Sequence, residues 1–367
     1  MELKKCLFNN LQIDGMNFKE LKIGYVPYLP DLSQPADRRR FPYFAKRNNV
    51  PFEIADKNKS YDIILLTAPA NLSGWLTYKK KHPETKFIFE MVDSLIFSTS
   101  LFSTVFKGIG RFMLRKEDAL YINYKKLLIK WLSITDIVIC SSAELKKTLE
   151  KWNRNVIISL DYLQNEAKFL KDNYAIDGKM KLVWEGQSVV FPHLLYFKDV
   201  FKEVSSFCEL HIITDEKVPF YGGMMKKKIE KIINQLPITI RFHKWELYNN
   251  YRELSKFDCG IIPLNKKNAL AWHKPANKLI SFWFTGLPTL VSDTPAYTSI
   301  MDMAGNKMYC ANSSEWVTKI KEIASIKANE REAIAKNNLQ FVRKHYSDEA
   351  LDLIWVRAFE RVIALRN

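Results

Sequence analysis

Short apolar runs alternate with longer segments of helical periodicity along most of the chain. KIGYVP (22–27), YDIILLT (61–67), KFIFEMVD (86–93) and TDIVICSS (135–142) are continuous apolar runs. That pattern belongs to parallel strands covered on both faces; a half-exposed strand would switch between apolar and polar at every residue. Helical spacing fills the intervals, most clearly over 99–132 and 142–152. After NVIISLDYL the pattern weakens through the polar stretch 164–180. It restarts with KLVWEG (181–186), ELHIITD (209–215), ITIRFHKW (238–245), FDCGIIPL (257–264) and LPTLVSD (287–293). Two successive strand–helix sets joined by a polar linker predict an α/β protein of two Rossmann-like, doubly wound domains facing a central cleft. Ligands are expected there, outside the carboxyl ends of the strands. The expected divisions are 1–165, 166–345, and a terminal helix over 346–367 that returns to the first domain.

Composition narrows the class. The 367 residues suffice for two cores, and 47% apolar with 13% aromatic residues describes a globular chain. No run of about 18 uncharged apolar residues offers a membrane span. LKKCLFNNLQ near the start is too polar for a secretory segment. Cys6, Cys140, Cys208, Cys259 and Cys310 are scattered without CxxC spacing, which suits free thiols in a reducing cytoplasm and proposes no zinc site. The net charge of +16 favours a polyanionic partner. Abundant Lys, Asn and Ile also fit a compositional bias. Nucleic-acid binding would explain the charge but not the paired α/β domains.

The stretch KPANKLISFWFTGLPTLVSDTPAY (274–297) concentrates candidate chemistry. A helix is expected to start near Pro275, and helix starts expose unpaired N–H groups that bind anions. Lys274 and Lys278 add charge there, and Asn277 can donate from its amide. Leu279, Ile280, Trp283 and Phe284 give the helix an apolar stripe. Asp293 to Tyr297, including Pro295, follow the next strand at its carboxyl end. A plain αβ unit with solvated lysines would give the same string.

HKPANKLISFWFTGLPTLVSDTPAY resembles the donor-binding segment of GT-B glycosyltransferases, especially the retaining group around glycosyltransferase family 4. SITDIVICSSAELKKTL, NVIISLDYL, KLVWEGQ and YRELSKFDCGIIPL resemble further pieces of that family in the right order. The resemblance covers most of residues 20–300 and is most specific from Phe257 to Tyr297. It implies a nucleotide diphosphate sugar as donor, with its phosphates on Lys274, Asn277 and Lys278, and no cofactor or metal. Two glutamates eight apart mark the family, and counting back from Gly286 puts His273 and Ser281 at their positions. The resemblance thus places Ser281 beside the ribose and His273 beside the sugar. The ribose contact then comes from elsewhere, the donor is unusual, or the chain is a divergent or inactive relative. Gly186 would let the backbone approach a diphosphate, and Trp245 would stack on the base.

Candidates in the first half concern the acceptor and its surroundings. Asp93 ends a buried strand, where a carboxylate has a partner or a task, so it is a candidate to orient or deprotonate an acceptor hydroxyl. A helix-capping role is the alternative. Arg38, Arg39 and Arg40, with Lys46 and Arg47, form a cluster suited to a phosphorylated acceptor. In SLFSTVFKGIGRFMLRK (100–116), Lys107, Arg111 and Arg115 recur every fourth residue. Phe102 and Phe106 fall largely on the opposite side, an amphipathic pattern suited to the surface of an anionic membrane.

The expectation is a cytoplasmic glycosyltransferase, peripheral at the inner face of the cell membrane. It would move a hexose to a lipid-linked or polysaccharide acceptor in bacterial surface glycan synthesis, with retention. A catalytically silent GT-B-like glycan-binding or partner subunit and a polyol-phosphate transferase are the alternatives.

Overall fold

A computed structural model describes residues 20–92, 108–165, 167–220, 233–246 and 250–365, with short pieces at 12–13, 16–17, 96 and 225–229. The chain divides into two units, Met1–Tyr162 with Glu349–Asn367, and Leu163–Asp348.

In the first unit the apolar runs become β1 (Ile23–Val26), β3 (Ile63–Thr67), β4 (Lys86–Met91) and β5 (Ile137–Cys140). β2 (Glu53–Ile54) and β6 (Val156–Ile158) complete a parallel sheet in the order β2-β1-β3-β4-β5-β6. Both faces are covered, which is why the strands carry apolar residues without alternation. One face packs Phe87, Phe89 and Val138 against Trp75 of helix Leu72–Lys81 and Trp131 of helix Tyr124–Ile134. The other packs Tyr25, Leu65 and Ile139 against Phe41 and Phe44 of a helix over Phe41–Asn48 and Trp355 and Phe359 of the terminal helix Asp348–Ala364. Phe44 and Trp355 stack with centroids 5.9 Å apart.

The helix expected over 99–132 is interrupted. Residues 99–107 lie outside the described residues, 108–113 are helical, and a new helix begins at Tyr124. Arg115 stops the first piece in a left-handed conformation (φ 53°). Asn123 caps the second by accepting from the Lys126 N–H at 3.2 Å. Tertiary partners of Arg111 and Glu117, described below, hold the intervening loop.

In the second unit β7 (Met180–Glu185), β8 (Cys208–Thr214), β9 (Ile240–Lys244), β10 (Cys259–Ile262), β11 (Thr289–Ser292) and β12 (Tyr309–Cys310) form another parallel sheet. Its order is β9-β8-β7-β10-β11-β12. Phe201 and Trp316 cover one face, from helices Lys198–Val204 and Ser313–Ser325. Trp283 of helix Asn277–Phe284 meets Phe341 of helix Ala328–His345 edge-on at 6.1 Å. The polar linker is strapped down rather than free. Lys171 N–H donates to the Thr285 carbonyl (2.8 Å), Tyr174 hydroxyl to the Gly286 carbonyl (2.9 Å), and Arg331 Nε to the Tyr174 carbonyl (2.9 Å).

Candidate functional site

The second sheet reverses its order of addition between β7 and β10, so Glu185 and Ile262 end the strands that flank the switch point. An open α/β sheet takes its ligand outside such carboxyl ends. The helix Asn277–Phe284 begins nearby. Its N-cap is Ala276, next to Pro275 where the sequence placed the helix start, and Ala276 has no capping side chain to offer the first N–H groups. Leu279, Ile280, Phe282, Trp283 and Phe284 are all buried and fix the helix on the sheet. Gly260 in β10 makes that seat possible, because a Cβ there would overlap the Phe282 ring. Gly286 ends the segment with φ 73°, a left-handed backbone that glycine adopts without a Cβ penalty.

Lys278 reaches from this helix back to the end of β7. Its ammonium donates to the Glu185 carbonyl, stands 3.1 Å from the Glu185 carboxylate, and lies 5.4 Å from the Trp184 ring centroid. Gly186 leaves the space that this arrangement uses. A Cβ at that position would come within 2.8 Å of Trp184 and 2.9 Å of Lys278 Nζ. Hydrogen bonds fix the glycine backbone: its N–H donates to Ile213 O at 3.1 Å, and Thr214 Oγ1 donates to its carbonyl at 2.6 Å. Trp245, half-buried at the end of β9, donates its N–H to Thr214 O at 2.9 Å. Gly186, Trp245 and Lys278 therefore share one edge of one sheet.

The loops after β10 and β11 complete that edge. Leu264 N–H donates to Ser292 Oγ at 2.9 Å, and Lys266 pairs with Asp293 at 2.6 Å. Thr294 is the N-cap and Pro295 the first residue of helix Pro295–Met303. The Thr294 hydroxyl is buried and finds no partner among the described residues. Tyr297 points elsewhere: it is 2% exposed, and burial pushes its hydroxyl pKa upward, so its ring serves the core. His273, Lys274 and Asn277 are half-exposed at the helix start, and Ser281 is half-buried one turn further on.

The first-unit candidates come out differently. Asp93, Phe102, Phe106 and Lys107 lie outside the described residues. Arg38 and Arg39 are half-buried. Arg40 does not lie at the surface, as a phosphate ligand would: it is fully buried. Its guanidinium donates to Glu90, to Ser159 O (3.1 Å) and to Asp161 (3.1 Å). Burial alone would lower its pKa, but Glu90 and Asp161 hold it above the ordinary value. Arg40 is a brace between β4 and the segment after β6, because a buried guanidinium persists only with carboxylates beside it. Arg111 also leaves the proposed basic stripe. It pairs with Glu117 (2.8 Å) and donates to Pro69 O (2.8 Å) and Ala70 O (2.6 Å). Arg115 is exposed.

Sequence reasoning missed Glu185 and Lys266, and it placed Asp293 and Thr294 at the strand end without giving either a role. The charge at the end of the otherwise apolar KLVWE was the available signal for Glu185, the same signal that singled out Asp93. Burial pushes the thiols of Cys140, Cys208 and Cys310 up to about 12. They stay protonated near neutrality and are poor nucleophiles.

Solved structures share this architecture. HepE from Anabaena, in complex with UDP and glucose, superposes with a TM-score of 0.64 at 9% identity, over 93% of this chain and 99% of that one. A glycosyltransferase from Rickettsia africae ESF-5 gives 0.59 at 10%, over 93% and 98%. The fold is GT-B. TarM gives 0.53 at 11% identity over 81% of this chain, which spans only 54% of TarM. No protein-family profile matches the sequence. No curated protein matches it either.

Proposed function

We propose that this GT-B chain is a glycosyltransferase using a nucleotide diphosphate sugar, with the donor phosphates at Lys278. The observation that carries the reading is the Lys278 ammonium beside Gly186 at the switch point of the second sheet. In transfer, negative charge grows on the departing diphosphate. A fixed ammonium and the uncapped start of helix Asn277–Phe284 oppose that charge in place. Trp245 takes the base by stacking, and Lys274, Asn277, Ser281 and Pro295 line the rest of the donor. His273 faces the sugar, and Asp93 orients or deprotonates the acceptor hydroxyl. Retention, a hexose as the moving group, and a lipid-linked or polysaccharide acceptor in surface glycan synthesis belong to the same reading. The HepE structure with UDP and glucose supports it. So does an S. aureus TarM structure with Fondaparinux, alpha-GlcNAc-glycerol and UDP.

The Glu185–Lys278 pair favours one second reading. An ammonium already satisfied by a carboxylate suits a glycan-binding subunit that never turns over. Titration calorimetry with UDP, GDP, ADP and CDP, then with their sugar conjugates, separates the two. Binding followed by nucleotide release supports transfer. Failure of every nucleotide to bind overturns the transferase reading.

A further inference from the structure

Residues 108–122 form a loop with inverted polarity, independent of the donor site. Its charged side chains Arg111, Glu117 and Asp118 turn toward the body of the first unit. Besides the Arg111 contacts above, Glu117 accepts from Ser73 N–H (2.8 Å), and Asp118 pairs with Lys57 (2.8 Å) and accepts from Asn71 Nδ2 (2.5 Å). Arg111 also stands 5.0 Å from the Tyr124 ring centroid. The apolar side chains turn outward instead. Met113 is 76% exposed, Leu114 70% and Ile122 59%, with Ile109, Phe112 and Leu120 also exposed. Six of the fourteen large hydrophobic residues exposed among the described residues fall in this one loop.

The loop is closed and braced. Gly108 lies against the Tyr121 carbonyl so tightly that a Cβ would overlap it, which brings the two ends of the loop together. Its tip carries Met113 and Leu114 beside Arg115 and Lys116, which are exposed and form no ion pair among the described residues. The acidic residues are already neutralised, so the free charge at the tip is positive. Protruding apolar tips with flanking basic residues suit a bilayer, which needs neither a flat face nor shape complementarity. The chain's net charge of +16 has the matching sign for anionic lipid.

We propose that the 108–122 loop inserts Met113, Leu114 and Ile122 into the interface of an anionic membrane while Arg115 and Lys116 meet the headgroups. This replaces the continuous amphipathic helix read from the sequence, in which Arg111 faced lipid. No helix among the described residues is long and apolar enough to cross a membrane, so the contact is superficial.

The test is flotation of the full chain with phosphatidylcholine vesicles, with and without phosphatidylglycerol, at low and high salt. The protein is expected to float with anionic vesicles and to lose part of that binding in salt. Met113→Ser/Leu114→Ser/Ile122→Ser should lower partitioning at least about thirtyfold at both salt levels. Arg115→Ser or Lys116→Ser should lower it roughly fivefold each, at low salt only. These side chains are exposed, so unchanged thermal melts will verify that the variants fold. Absence of flotation overturns the proposal, as does undiminished flotation of the triple variant. If the triple variant instead turns an oligomer into a monomer while vesicle binding persists, the loop is a protein interface and the proposal fails.

Discussion

Replacing Lys278 with methionine removes a charge while keeping a long flexible side chain over Trp184. Two unit charges about 4 Å apart attract by roughly 4 kcal/mol at the effective dielectric of a partly exposed site. Lys278 is 24% exposed and already answers to Glu185 at 3.1 Å, so a donor phosphate exchanges one anion for another. Only a charged hydrogen bond's worth should register, about 1.5–3 kcal/mol, or roughly ten- to hundredfold in nucleotide diphosphate affinity. Glu185→Gln should act in the opposite direction, because it frees the ammonium and removes a negative neighbour. Affinity should rise by roughly threefold or more, about 0.7 kcal/mol. Calorimetric titration of both variants and their combination with the tightest-binding nucleotide diphosphate measures this. Unchanged affinity in Lys278→Met would refute the reasoning. If Glu185→Gln weakens binding as much as Lys278→Met does, Glu185 is itself a ligand contact and does not compete with the donor.

Gly260→Ala should force Phe282 off the sheet and destabilise the second unit by about 1–3 kcal/mol, read as a lower melting temperature with weakened nucleotide binding. Asp352→Ala strands Tyr162 Oη, Asn48 Nδ2 and Arg47 Nε, which donate to that carboxylate at 2.9, 3.0 and 2.9 Å. Urea unfolding should show a loss of about 1–3 kcal/mol, the cost of leaving partly buried donors without their acceptor while Arg47, 32% exposed, keeps Glu349. Burial lowers the pKa values of His211 and His243, whose rings share a hydrogen bond of 2.8 Å. The folded state keeps them neutral where the unfolded chain takes up protons. Stability is therefore full above the ordinary histidine value of about 6.5 and falls as pH drops below it. Urea midpoints at pH 7.5 and 5.5 should differ, and His243→Gln should reduce the difference; equal midpoints in the parent protein would contradict the burial argument.

The strands were legible because a parallel strand covered on both faces writes one continuous apolar run. The αβ unit over 274–297 was legible because its helix stripe, glycine and following strand are contiguous in sequence. Arg40 and Arg111 were misjudged for a common reason. An arginine in an exposed-looking cluster has the same local sequence whether it faces solvent or an acceptor far along the chain. Arg40 finds Glu90 and Asp161, and Arg111 finds the carbonyls of Pro69 and Ala70. Glu185 escaped notice for the converse reason: its neighbour in space, Lys278, belongs to a helix 93 positions away.

The return of the chain to its first unit at Glu349 bears on the order in which the protein is made. The second unit is continuous, so its core can close while synthesis is still under way. The first unit cannot close then, because Trp355 and Phe359 follow the whole of the second unit along the chain. Until they arrive, Phe41, Phe44 and the adjoining sheet face stay open, a sticky surface that invites chaperones. A released chain truncated after Asp348 should therefore show a protease-resistant second unit joined to a protease-sensitive first one.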